Sequence, residues 1–157
     1  MAEVKYSKAI AESIENYLNE KEWKFMPVDE NGVIRTGLKL RNKLKSVDIF
    51  FRIGRDSFTI TLRLSIGAGE DLEDLNRVNE FVTRANYGMR RGCSEMDFRD
   101  GELGFRIGQY CDDAPSSEAV EDTLFIAVAM VERYGDALLK VIHGFAKPEE
   151  AIKEAES

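Results

Sequence analysis

The 157-residue sequence predicts an α+β domain: a largely antiparallel, five-stranded sheet with helices packed on one face. Three observations predict it. Residues 33–66 alternate apolar and polar through three consecutive segments, as strands with one buried face do. Residues 72–87 carry an amphipathic helical stripe and run into a hairpin, 93–110, turning at Asp100-Gly101. A long apolar helical pattern then follows Ser116 or Ser117.

Taken in order, Ser7 reads as the N-cap of a first helix running to about residue 22, with Ile10, Ile14, Tyr17 and Leu18 in one narrow stripe. Trp23, Phe25 and Met26 lead to Pro27, and residues 29–32 make a turn. The first strand, 33–40, places Ile34, Thr36, Leu38 and Leu40 on one face. The second, 47–53, places Val47, Ile49, Phe51 and Ile53 there. The third, 58–66, adds Phe58, Ile60, Leu62, Leu64 and Ile66. A turn at Arg55-Asp56 sets Ile53 against Phe58, Phe51 against Ile60, Ile49 against Leu62 and Asp48 against Arg63. All the apolar pairs then share a face and a charge pair falls on the other, which a one-residue slip would destroy.

Gly67-Ala68-Gly69 ends the third strand, and the next helix begins near Glu70-Asp71, acidic as a helix N-terminus prefers. Leu72, Leu75, Val78, Val82 and Ala85 line one face, with Asn79 and Asn86 on its flank and Phe81 well off it. A two-residue Asp-Gly turn pairs Arg99 with Glu102, Phe98 with Leu103, Met96 with Phe105 and Glu95 with Arg106, and puts Cys93 opposite Gly108. The longest helix runs to about His143 on a core stripe of Val120, Leu124, Ala127, Val131, Tyr134, Leu138, Val141 and Ile142. Phe125, Ile126 and Ala129 lie on its far side, so it is apolar nearly all round there and expected to be covered on both sides. Gly144 stops it, and Pro148 opens a short terminal helix or frayed tail over residues 148–157. No repeat or linker divides the chain, so one domain over 1–157 is expected.

The net charge of -7 argues against nucleic acid and against an anionic membrane surface as partners. Residues 1–6 lack the apolar core of a signal peptide and no run is long enough to span a bilayer, so a cytoplasmic protein is expected. Two cysteines, Cys93 and Cys111, are too few for a disulfide framework and read as small buried or edge thiols.

Catalytic chemistry finds little to work with. His143 is the one histidine and sits where a helix C-terminus favours it; with two separated cysteines it offers no metal-ligand spacing. Residues 29–32 lack the distal Glu of a calcium loop. Gly67-Ala68-Gly69 precedes a helix, but Glu70-Asp71 would repel phosphate, and a tight turn is the better reading. Glu95 and Asp97 share a strand face with Arg106 opposite Glu95, which leaves no acid–base pair. No catalytic residue, metal or cofactor is assigned.

One surface stands out. The sheet face away from the core collects Arg35, Lys39, Arg52, Arg63 and Arg106 in a chain that is acidic overall. These are either a solvated face partly paired with Asp48 and Glu95, or a positive surface that receives an acidic helix or client segment. In the second case Arg35, Arg52 and Arg63 bind the partner and Phe50 is their apolar anchor. Phe81, Phe125, Ile126 and Ala129 are candidates for a subunit or partner interface, the alternative being packing among the three helices.

The order helix, three strands, helix, two strands, long helix matches the type III secretion chaperone-like fold. Residues 75–106, LNRVNEFVTRANYGMRRGCSEMDFRDGELGFR, resemble the YbjN family, in which an amphipathic helix with an Asn near its end precedes an acidic or glycine-turn hairpin. Asn79 or Asn86 is the matching position and Asp100-Gly101 the turn. The resemblance implies no enzymatic activity. Secretion chaperones of this fold are small acidic dimers that bind an extended client segment, and YbjN-like proteins are described as regulators of sensory transduction. A non-enzymatic, homodimeric protein-binding module, chaperone-like or regulatory, is therefore expected. The alternative is a small-ligand sensor with a pocket between helices and sheet.

Overall fold

The computed structural model describes residues 5–157; most of the N-terminal stretch read as lacking a signal sequence, residues 1–4, lies outside them. Five strands, β1 (Val33–Lys39), β2 (Ser46–Ile53), β3 (Ser57–Leu64), β4 (Cys93–Met96) and β5 (Leu103–Tyr110), form one sheet in the order β1-β2-β3-β5-β4. Every neighbouring pair is antiparallel. Four helices accompany them: α1 (Lys8–Glu20), α2 (Leu72–Asn86), α3 (Ser117–Ile142) and α4 (Pro148–Glu156).

The helix ends follow local chemistry. Ser7 caps α1 by accepting from Ile10 N–H, Asp71 caps α2 by accepting from Glu73 and Asp74, and Ser116 caps α3 by accepting from Ala119. Gly144, at φ 75°, turns the chain so that Phe145 N–H reaches back to the Lys140 carbonyl at 2.7 Å, ending α3.

Helices α1 and α3 bury Ile14, Leu18, Val120 and Leu124 against Ile49, Phe51, Ile60 and Phe105 on one sheet face. An adjoining cluster joins α2, α3 and α4 around Val78, Phe81, Leu138, Val141 and Ala151. Each large side chain so buried stabilises by roughly 1.5–3 kcal/mol. The β2–β3 register is the expected one, with Ile53 facing Phe58, Ile49 facing Leu62 and Asp48 facing Arg63.

The β4–β5 hairpin departs from expectation. Met96 stands opposite Leu103, Glu95 opposite Gly104 and Cys93 opposite Arg106, a shift of two from a two-residue turn. The loop instead spans residues 98–101, closed by Gly101 N–H to the Asp97 carbonyl at 2.7 Å and Asp97 N–H to the Glu102 carbonyl at 2.9 Å. Gly101 has a left-handed φ of 76° but Asp100 does not, and a primed turn with Asp-Gly at its centre needs both. A shift of two leaves each side chain on its face. Glu95 therefore still meets Arg106, now diagonally, at 3.1 Å. Arg99 turns to Asp97 at 2.6 Å, and Glu102 goes to Arg63.

The hairpin tip sits on Gly67-Ala68-Gly69. Ala68 N–H donates to the Gly101 carbonyl at 2.8 Å, and a Cβ on Gly67 would lie 2.8 Å from that same oxygen. The paired glycines thus permit backbone-to-backbone docking. Phe81 is a second correction. It is only 2% exposed and meets the Tyr134 ring edge-on at 6.5 Å, because α4 adds a wall to α2 beyond the single face the stripe indicated. Leu72, expected on the buried face, is 66% exposed.

Candidate functional site: the open face of the sheet

Strand geometry brings three arginines to one ring. Arg35 stands directly opposite Phe50 across β1–β2, and Arg52 lies two residues further along β2. Thr61 faces Phe50 from β3, and Arg63 lies two residues beyond it. Alternation puts all four side chains on the face away from the helices. The guanidinium carbons of Arg35, Arg52 and Arg63 lie 5.5, 5.8 and 4.6 Å from the Phe50 ring centre. Each such contact is worth about 0.5–1 kcal/mol at an exposed site and offsets part of the repulsion among the three cations.

Phe50 is only 8% exposed. It is therefore a platform beneath the arginines and not an anchor reaching outward, because the guanidinium groups themselves cover the ring. Arg63 is held 3.1 Å from Glu102, although its Nε–H is not directed at the carboxylate. Arg106 is neutralised by Glu95. Among the described residues Arg35 and Arg52 make no ion pair and keep their charge available. A groove of about 350 Å³ continues from Arg63 past Thr61, Glu95 and Glu102 to Phe98 at the hairpin tip.

The other expected interface residues separate. Phe125 is 45% exposed on the outer side of α3, beside exposed Ala129 and half-buried Ile126, whereas Phe81 lies in the core. The cavity between helices and sheet, lined by Phe81, Phe105, Met130 and Tyr134, measures about 30 Å³. That is room for about one water molecule, against several hundred Å³ for a typical small-molecule site.

Groups able to carry chemistry are dispersed. His143 is the C-cap of α3, Cys93 opens β4 and Cys111 follows β5; both thiols are free. Burial, with Asp112 and Asp56 nearby, pushes the Cys111 thiol up. Among the described residues no three His, Cys, Asp or Glu side chains are grouped to hold a metal, and no helix is long and apolar enough to cross a membrane.

Asn86 is a structural detail that periodicity missed. Its side chain bonds both backbone groups of Ser94 and so joins the end of α2 to β4. Of Asn79 and Asn86, the two positions the resemblance offered, Asn86 is the one whose side chain bonds a strand.

Comparison with known proteins matches residues 11–140 to the YbjN family, described as "Putative bacterial sensory transduction regulator". No curated protein matches significantly. Among solved structures the fold is similar to that of "YbjN, a putative transcription regulator from E. coli", with a TM-score of 0.58 and 8% identity over 83% of this chain and 87% of that one. The ExsC-ExsE complex aligns with a TM-score of 0.45 and 14% identity over 80% of this chain and 90% of that one.

Proposed function

The chain belongs to the YbjN family, and on that premise we propose that it is a non-enzymatic regulator that binds an acidic, extended segment of a partner protein on the open face of its sheet. The observation that carries this reading is the gathering of Arg35, Arg52 and Arg63 over the Phe50 ring, two of them without an acidic partner among the described residues, in a chain of net charge -7. Guanidinium groups gathered over one ring present their N–H donors together to carboxylates, so less further ordering is needed on binding. A small-ligand sensor gains no support from an interior cavity of about 30 Å³. Two free thiols suit a reducing compartment such as the cytoplasm.

A tagged pull-down from the native host's lysate, comparing wild type with the Arg52→Glu/Arg63→Glu variant, tests the reading. A stoichiometric protein held by wild type and lost from the variant is expected. Equal recovery by both would overturn it.

A further inference from the structure

We infer that the anchoring charge of the bound segment is a single phosphorylated serine or threonine, an inference that rests on the sheet-face reading and names the group it would hold. Carboxylates on one face of an extended segment stand roughly 7 Å apart, so a row of them calls for a row of cations along the strands. Here the cations gather instead at one place. Arg35 stands opposite Phe50 and Arg52 two residues further on, a diagonal across which long side chains meet. Their guanidinium carbons lie 5.5 and 5.8 Å from the same ring centre, and neither makes an ion pair among the described residues. Two uncompensated cations at one spot suit a compact group with two negative charges. A phosphate monoester carries about -1.5 to -2 at pH 7 and three acceptor oxygens, enough for both guanidinium forks, whereas a carboxylate brings one charge and two oxygens.

The charges around Phe50 are polarised. Asp48 and Glu95 lie in the cross-strand row of Arg63, one step past Phe50 and away from Arg52, and Glu102 pairs with Arg63 just beyond. Glu95 is engaged by Arg106, and Asp56, in the turn after β2, accepts from the Tyr110 hydroxyl at 2.9 Å. Opposite Arg52 and Phe50 stand Thr59 and Thr61, half-buried, with hydroxyls that make no hydrogen bond among the described residues. They are neutral donors that a phosphate oxygen can use. On the other flank Met26 bridges to Arg35, its N–H donating to the Arg35 carbonyl at 2.8 Å, and so shares the face of Arg35. Lys24, the charge of that segment, lines the same groove as Met26 and Arg35 and is also a cation. Met26 is 65% exposed and offers an apolar contact beside the charge. A residue flanking the phosphorylated one can use that contact and inorganic phosphate cannot. An anionic membrane is disfavoured by the net charge of -7.

Fluorescence anisotropy of the full chain tests this, with short glutamate-containing peptides identical except for phosphoserine, glutamate or serine at one central position. All three are expected to bind, the phosphoserine peptide at least about tenfold tighter than its glutamate counterpart near neutral pH. That advantage should shrink as pH falls toward about 5, because the phosphate's second ionisation lies near 6 while the arginines stay charged. The one histidine, His143, caps α3 in the helical layer and does not contribute. Arg35→Gln/Arg52→Gln, at two exposed positions, should abolish the preference, with circular dichroism confirming the fold. Equal affinity for the phosphoserine and glutamate peptides, or a preference that survives the double variant, overturns the phosphoryl assignment and leaves the sheet-face reading standing. Failure of all three peptides to bind overturns both. Displacement of the peptide by an equal concentration of inorganic phosphate, or equally tight binding to vesicles containing phosphatidic acid, overturns a phosphorylated segment as the occupant.

Discussion

The Asn86 side chain pairs with Ser94 as a neighbouring strand would: its Nδ2 donates to the Ser94 carbonyl at 2.9 Å, and its Oδ1 accepts from Ser94 N–H at 2.8 Å. β4 is four residues long and lies at the sheet edge, so these bonds hold a strand that has little else. Asn86→Ala leaves both backbone groups of Ser94 without their partner and is expected to cost about 1–3 kcal/mol. Urea denaturation and amide exchange at Ser94 measure it. A loss below about 0.5 kcal/mol with unchanged exchange would contradict the assignment.

Gly88 and Gly101 both have left-handed φ, 79° and 76°. A Cβ at Gly88 meets nothing within 4 Å, whereas one at Gly101 would collide with the backbone of Gly69 and Ala68. Gly88→Ala should cost about 1 kcal/mol from backbone conformation alone. Gly101→Ala should cost at least about 2 kcal/mol more. Equal losses in chemical denaturation would mean that the tip does not dock on Gly67-Ala68-Gly69.

Hydrogen bonds from the Arg99 side chain, at 2.6 Å, and from its backbone N–H, at 2.9 Å, hold the Asp97 carboxyl at about 2. The folded value lies below the ordinary one of 3.8, so the pair's contribution is present above that pH and fades as pH falls through about 2. Arg99→Ala should return the Asp97 titration, followed by carboxyl NMR, toward 3.8. A midpoint that stays near 2 would refute the pairing.

Phe50→Leu keeps an apolar side chain under the arginines but removes the ring. Stability should fall by less than about 1.5 kcal/mol. Binding of the acidic segment should weaken severalfold, because the guanidinium groups lose the surface that positions them. Isothermal titration with the captured partner would show it, and unchanged affinity would remove Phe50 from the site.

Much of the fold is legible in the sequence because burial on one sheet face repeats the same information at many positions. Ile49, Phe51, Ile53, Phe58, Ile60 and Leu62 exclude a one-residue slip, the short turn at Arg55-Asp56 selects among the registers left, and the result is the register observed. The second hairpin offered no such constraint. Asp100-Gly101 fits both a two-residue turn and a longer loop ending on a left-handed Gly101, and the two differ by a shift that moves no residue across the sheet. Phe81 was misplaced because its environment depends on α4 docking far along the chain. The arginines were visible on one face, but the burial of Phe50 was not, since charged side chains, which alternation patterns count as exposed, cover it.

The most direct measurement is an amide chemical-shift titration of the isotope-labelled protein with a short glutamate-rich peptide. Shifts are expected to cluster on β1, β2 and β3 around Arg35, Phe50, Arg52 and Arg63, to weaken as salt is added, and to vanish in Arg52→Glu/Arg63→Glu. Shifts centred elsewhere, or shifts that survive the charge reversal, would contradict the sheet face as the partner-binding surface.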